Sequence, residues 1–263
     1  MKYKMNIEIK KTVKAGNSSA VILPKAWLNQ EVRVELVKKT PETILQEAIN
    51  ITEDNINPGE IIGIYLVGSY ARGEESKGSD IDILVISAIT DKEIIHEGIY
   101  NVLIVSEELL EWKLKYDLLP IGPMLKEAKP LINSPYLNLI KIKVTKKNIK
   151  WYIDTTREKL ELVKKIFENT VEGEKVDDRV AYSLVLRIRT LYIVQKLIKN
   201  QIHSKKEFIK LIAKISGSNN AYESYLAVKN NAEENYRTTK EEAEKLDGYL
   251  RNQLNDVSIL LEH

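Results

Sequence analysis

The sequence predicts an α+β protein built in three parts. Near-apolar, β-branched runs recur within the first 135 residues, the pattern of strands with buried faces. The rest of the chain repeats apolar residues at helical spacing in five segments. Charge divides the same way. Residues 1–40 carry nine Lys or Arg against three Asp or Glu, residues 41–135 seven against seventeen, and residues 136–263 24 against 18. The formal net charge of +2 therefore conceals basic, acidic and basic segments.

Met5–Val13 alternates and reads as a strand. Ala15–Ser19 is a turn cluster, Ala20–Leu23 a second strand stopped by Pro24, and Lys25–Asn29 one helical turn. Val32–Val37 reads as a third strand. Forty residues with three short strands bury little core alone, so this unit needs a partner. Thr40-Pro41-Glu42 is a helix start, with Thr as N-cap and Pro at the first helical position. That helix runs to about Ile51 and is closed off by Asn57-Pro58-Gly59.

Ile61–Val67 fits a buried central strand, and Gly68–Ser79 a glycine-containing loop with one helical turn. Ile81–Ile86 and Ile99–Val105 are the next strands, and the short polar connection between them predicts a hairpin. Ser106 with Glu107 and Glu108 caps a helix to Tyr116. After Asn133-Ser134-Pro135 come helices at Trp151–Phe167, Val180–Ile198, Ser204–Ile215, Tyr222–Asn231 and Lys240–Leu261, broken at Gly173 and Gly217–Asn220. The domain expectation is a β unit over 1–40, a central domain over 41–135 and a helical bundle over 136–263.

The chain has no cysteine, which excludes a disulfide scaffold, a thiolate zinc site, an iron–sulfur cluster and a cysteine nucleophile. Three histidines argue against a histidine-rich metal centre. No apolar run reaches membrane-spanning length and no signal-peptide core is present, so the expectation is a cytoplasmic protein with no membrane partner.

The chemistry concentrates in Leu66-Val67-Gly68-Ser69-Tyr70-Ala71-Arg72-Gly73, then Ser79-Asp80-Ile81-Asp82-Ile83-Leu84-Val85. A buried strand ends at Gly68-Ser69, where the absent side chain lets backbone approach a ligand and amides with a hydroxyl hold phosphate oxygens. After ten intervening residues, Asp80 and Asp82 lie two apart and project from one strand face. Unpaired carboxylates in a largely apolar strand are costly, which argues for a cation. An all-oxygen set beside a phosphate turn suits Mg²⁺.

These residues resemble the signature of the DNA polymerase β nucleotidyltransferase superfamily, in which Gly-Ser precedes Asp-x-Asp. The segment is most similar to the minimal and kanamycin-type members. The resemblance implies a mixed-sheet core and transfer of a nucleoside monophosphate from an NTP, ATP being the first choice, to a hydroxyl on a protein, RNA or small molecule. It implies that Gly68 and Ser69 hold the triphosphate, that Asp80 and Asp82 are catalytic and bind Mg²⁺, and that Arg72 and Lys77 are available to phosphates. One departure stands out. The family's third carboxylate falls on the following strand, where the register here places Asn101. Asparagine offers a carbonyl oxygen but accepts no proton at neutral pH. Glu97 is the substitute if the strand shifts. The alternative is a DNA-binding regulatory or antitoxin-like protein whose fold binds nucleotide and catalyses weakly.

Lys14-Ala15-Gly16-Asn17-Ser18-Ser19-Ala20-Val21-Ile22-Leu23-Pro24-Lys25, with Val32–Leu36, resembles an AbrB-like swapped-hairpin domain. That implies a homodimer and a DNA-binding surface with Lys10, Lys11, Lys14, Lys25 and Arg33 as phosphate contacts; a packing module that touches no DNA is the competing reading. The helical tail loosely resembles the substrate-binding helices that accompany such transferases. Arg187 and Arg189 cannot share one helix face, Tyr182 and Tyr192 read as core or interface, and His203 as a surface residue.

Overall fold

The computed structural model describes residues 8, 10, 12–35, 39–76, 78–232 and 237–261. Two compact units form, one from Met1–Leu110 with Glu127–Ile140, the other from Glu111–Lys126 with Lys141–His263.

The first unit is organised by a five-stranded mixed sheet of order β5-β6-β4-β3-β7. Its strands are β3 (Ile61–Val67), β4 (Ile81–Ser87), β5 (Lys92–Glu97), β6 (Tyr100–Ser106) and β7 (Lys129–Ile132). The sheet is covered on one face by α1 (Pro41–Glu53), which begins as the sequence predicts: the Thr40 hydroxyl accepts from the Thr43 amide at 3.3 Å. Ile44, Ala48 and Ile51 of α1 pack with Ile64, Ile81, Ile83, Val85, Tyr100, Val102 and Ile104. Because side chains alternate along a strand, residues of the other parity on β4 and β6 face away from α1. Asp82 and Asn101 belong to that second set.

The expected hairpin between the second and third core strands does not form. β4 and β6 run parallel, with Ile81 opposite Tyr100 and Asp82 opposite Asn101. The segment read as a short connection contains β5, which returns antiparallel along β6 through Gly98 at φ +61°. This edge strand is mostly exposed, so it lacks the apolar run that marks β3 and β4. β7 went unrecognised for a similar reason: it is four residues long and contains Pro130, tolerated at a sheet edge. Helix α2 (Gly68–Arg72) supplies the expected turn after β3, and α3 (Glu107–Tyr116) starts after Ser106, whose hydroxyl accepts from the Leu109 amide.

In the N-terminal segment, β1 (Val13–Ala15) pairs with β2 (Ser18–Ala20) around Gly16-Asn17. The hairpin is shorter than expected and falls between the two expected strands, its first strand beginning at Val13 and its second ending at Ala20. Of the strand expected at Ala20–Leu23 only Ala20 is paired, in β2, and residues 21–24 form no regular element before a single 3-10 turn at Lys25–Trp27. Residues 32–35 form no strand, and 36–37 lie outside the described residues, as does most of Met5–Val13. A strand needs a neighbour's hydrogen bonds.

The second unit is helical: α4 (Leu118–Glu127, whose last residue belongs to the first unit), α6 (Lys150–Glu168), α7 (Asp178–Ile198), α8 (Lys205–Ser216), α9 (Asn220–Lys229) and α10 (Lys240–Leu260). Short α5 (Ser134–Leu139) lies in the first. The five long helices predicted from periodicity all form. Leu184, Ile188, Leu191, Phe208, Ile212, Leu246 and Leu250 share one core. Tyr192 belongs to it, and Tyr182 stacks on Tyr225 with ring centroids 5.4 Å apart. Arg187 is half-buried and donates to Thr156 Oγ1 at 3.0 Å, while Arg189 is exposed. No helix among the described residues is long and apolar enough to cross a membrane.

Candidate active site

The site forms where β3 ends and β4 begins. Val67 lies opposite Asp82 in the antiparallel β3–β4 pair, so the Gly68 turn meets the Asp82 side chain directly. Gly68 has φ +70°, a left-handed conformation that favours glycine. A Cβ at this position would lie 2.1 Å from Asp82 Oδ2. The glycine read from sequence as a phosphate approach is thus also the space into which Asp82 fits.

Burial pushes the Asp82 carboxyl above its ordinary value, a hydrogen bond from Asn101 pulls it down, and the neighbouring Asp80 charge pushes it up again. A buried carboxyl whose ionisation is made costlier by a second carboxylate beside it is the arrangement a divalent cation relieves. The donor set is oxygen, as Mg²⁺ prefers, and two carboxylates leave room for phosphate oxygens and water. Among the described residues no cluster of three or more His, Asp or Glu side chains is placed to hold a metal, so the fit rests on this pair.

Asn101 lies opposite Asp82 on the neighbouring parallel strand. Its Nδ2 donates to Asp82 Oδ1 at 3.0 Å. Its Oδ1 lies 2.8 Å from His96 Nδ1 on the adjacent strand. Glu97 is not the substitute carboxylate. It lies opposite Tyr100, a residue of the α1 face, and its carboxyl is raised by burial and then by Asp54, Glu8 and Glu47. The sheet itself therefore separates Glu97 from Asp82.

Arg72 is committed elsewhere than expected. Its Nη1 donates to Glu127 Oε2 at 2.6 Å and its Nε to Glu74 Oε2 at 3.1 Å, with its side chain only 12% exposed. Burial works against the Arg72 charge, but Glu127 and Glu74 outweigh it and hold its pKa up. Glu127 also accepts from the Gly68 amide at 2.7 Å. That amide is therefore spent on holding the turn and is not the phosphate donor that the sequence suggested. Burial pushes the Glu127 carboxyl up, and Arg72 and the Gly68 amide pull it back.

Glu127 and His96 were both missed by sequence reasoning. Nothing around Glu127 marks it, since it ends an apolar helix 59 residues from the glycine it holds. His96 was findable: Glu97-Gly98 before the apolar Ile99 run is a hairpin signal, and pairing across it faces His96 toward Asn101. Lys77 lies outside the described residues, as does Lys11.

A family model described as a nucleotidyltransferase domain matches residues 45–210. The chain belongs to the nucleotidyltransferase-domain family. That match covers the sheet, the Gly68 turn, both aspartates and part of the helical unit, and it begins beyond the N-terminal hairpin. The reaction class is accordingly nucleotidyl transfer. Among solved structures, the chain is similar to a spectinomycin adenyltransferase from Enterococcus faecialis solved with ATP and spectinomycin: 18% identity, TM-score 0.40, covering 80% of this chain and 99% of that one. It is also similar to a nucleotidyltransferase-like protein from Exiguobacterium sibiricum: 15% identity, TM-score 0.36, covering 81% and 75%. No curated protein matches the chain.

Proposed function

We propose that this nucleotidyltransferase moves a nucleoside monophosphate from a nucleoside triphosphate, ATP being the first choice, to a hydroxyl acceptor. The observation that carries this reading is Asp82 seated against the side-chain-free Gly68, with Asp80 two residues before it. Gly68 and Ser69 line the triphosphate, and Asp80 and Asp82 hold Mg²⁺. When bound, the cation neutralises charge on the phosphates and orients them. The acceptor oxygen bonds to the α-phosphorus, the bridge to the β-phosphate breaks, and pyrophosphate leaves. The acceptor is a protein side chain, an RNA end or a small molecule. Incubating the full chain with α-labelled NTPs and Mg²⁺ tests the reading; the absence of both label transfer and nucleotide binding at millimolar nucleotide refutes it.

The Asn101 amide directed at Asp82 favours a second reading, nucleotide binding without turnover in a regulatory or antitoxin-like protein. Against it stands a proton acceptor. A carboxylate only accepts, so Asn101 turns its Nδ2 to Asp82 and its Oδ1 to His96. His96 Nδ1 then carries the hydrogen, and in the neutral ring Nε2 is the nitrogen with the lone pair. His96 is exposed on the face that carries Asp82, and its Nε2 takes the acceptor proton as pyrophosphate departs. His96→Ala is expected to lower turnover about 100-fold with little change in KM, partly restored by added imidazole. Unchanged turnover in an active enzyme removes His96 from the mechanism.

We further propose that the N-terminal unit joins two copies of the chain. No described residue from Glu8 to Lys39 is buried, and Ile22, Leu28 and Val34 are each about two-thirds exposed. Such a segment gains a core only by association. Deleting residues 1–39 is expected to convert a dimer to a monomer by light scattering, and an unchanged mass refutes the proposal. Lys10, Lys14, Lys25 and Arg33 are exposed and available to DNA, though Lys10 pairs with Glu8 at 2.8 Å and Arg33 with Glu35.

A further inference from the structure

The helical unit carries a basic and aromatic surface that nucleotidyl transfer does not use. Residues 141–151 contain five lysines and no acid. They run alongside the C-terminal end of α3, where Trp112 is 51% and Tyr116 37% exposed. Trp151, the last residue of the basic run, is 75% exposed at the start of α6. Large aromatics cost free energy in water; Trp112 and Tyr116 pair beside the lysine-rich segment and Trp151 ends it, which is more than scattered exposure.

The geometry is organised. The Trp112 and Tyr116 ring centroids are 5.7 Å apart. The Lys147 ammonium lies 4.1 Å from the Tyr116 centroid and that of Lys115 5.3 Å away. The basic loop is pinned from beneath by Asn148, which is only 3% exposed. Its Nδ2 donates to the carbonyls of Leu114 (2.8 Å) and Lys143 (2.9 Å), its Oδ1 accepts from the Thr145 amide, and its carbonyl accepts from the Leu118 amide at 3.0 Å. The lysines are thus held on a fixed loop, which lowers the entropy cost of using them. Nearby acids offset only part of the charge: Lys150 pairs with Asp154, Lys113 with Asp117 at 3.4 Å, and Glu111 is exposed.

A solvated lysine face needs no exposed tryptophans, and an acidic peptide needs no planar rings. A ligand with regularly spaced negative charges and flat apolar faces matches both features. We propose that this surface binds single-stranded nucleic acid, with bases stacked on Trp112, Tyr116 and Trp151 and phosphates met by Lys115, Lys143 and Lys147. Unpaired bases are required, because a duplex keeps its base faces stacked. The inference is independent of the transferase reading.

The test uses the full chain and a labelled oligouridylate of roughly twelve nucleotides, read by anisotropy at about 50 mM and about 200 mM salt. Trp112→Ala with Tyr116→Ala, both exposed positions, is expected to weaken binding about tenfold or more while leaving circular dichroism unchanged. Lys115→Glu with Lys143→Glu and Lys147→Glu should weaken it further and flatten the logarithmic salt slope by about two. Changing Lys14, Lys25 and Arg33 to Ala should leave it intact. Absence of binding at about 100 μM protein in low salt overturns the proposal. So does unaltered affinity in the aromatic variant, equal affinity for a duplex of the same length, or loss of binding only in the N-terminal variant.

Discussion

Replacing Asp80 and Asp82 together by asparagine is expected to lower label transfer from NTP about 10³-fold or more while the protein stays folded. A cation bridging two carboxylates to substrate phosphates contributes several kcal/mol in the transition state, and each 1.4 kcal/mol or so is tenfold in rate. Amides keep the shape but bind magnesium poorly. Stability should move the opposite way. Asp82 is raised by burial first and by Asp80 in part, so its charged form is a cost to the metal-free fold. A carboxyl raised in the folded state contributes stability below its ordinary pKa of 3.8 and loses it as pH rises through the folded value. The metal-free double variant is therefore expected to melt at or above the wild-type temperature at pH 7, with the advantage fading toward pH 4. Transfer that survives the double change removes both aspartates from the mechanism. A drop in melting temperature at pH 7 removes the account of the cost of the Asp82 charge.

The second large effect is structural. Glu127→Ala is expected to destabilise the sheet unit by about 3 kcal/mol, the low end for breaking a buried ion pair. Three losses combine. Arg72 keeps Glu74 but loses its shorter contact, the Gly68 amide loses its acceptor, and a side chain only 4% exposed leaves a void. The low end is appropriate because burial raises Glu127 despite its partners, so part of the pair's attraction already offsets desolvation. Glu127→Gln keeps an oxygen for Gly68 and should cost less. Both variants should weaken nucleotide binding, since Gly68 is held at φ +70° beside Asp82 by this contact. A melting curve within a degree of wild type for Glu127→Ala refutes the account.

Several features were legible in the sequence because they depend on neighbours in the chain. The Thr40 cap, β3 at Ile61–Val67, the one-turn helix after Gly68, β4 from Ile81 and the five long helices all appear within a few residues of the positions read from periodicity and caps. The motif on which the proposed site rests is local in the same way: Gly-Ser follows an apolar run, and two aspartates lie two apart at the start of the next strand. Asn101 was singled out by the family resemblance alone; its pairing opposite Asp82 was not legible, because the short connection suggested a hairpin where the strands in fact run parallel.

The sequence by itself determined the α+β class, the transferase motif and the oxygen-only character of any metal site. Tertiary structure alone decided which groups complete the site. It inserted β5, made β4 and β6 parallel, and so put His96 behind Asn101 and Glu97 on the opposite face of the sheet. It also brought Glu127 across 59 residues to Gly68 and thereby took Arg72 from the phosphates. The physical reason is range. Backbone propensity and side-chain periodicity act over a few residues and can be read along the chain. A buried charge is decided by whatever opposite charge the fold carries to it, and that partner leaves no mark in the neighbouring sequence.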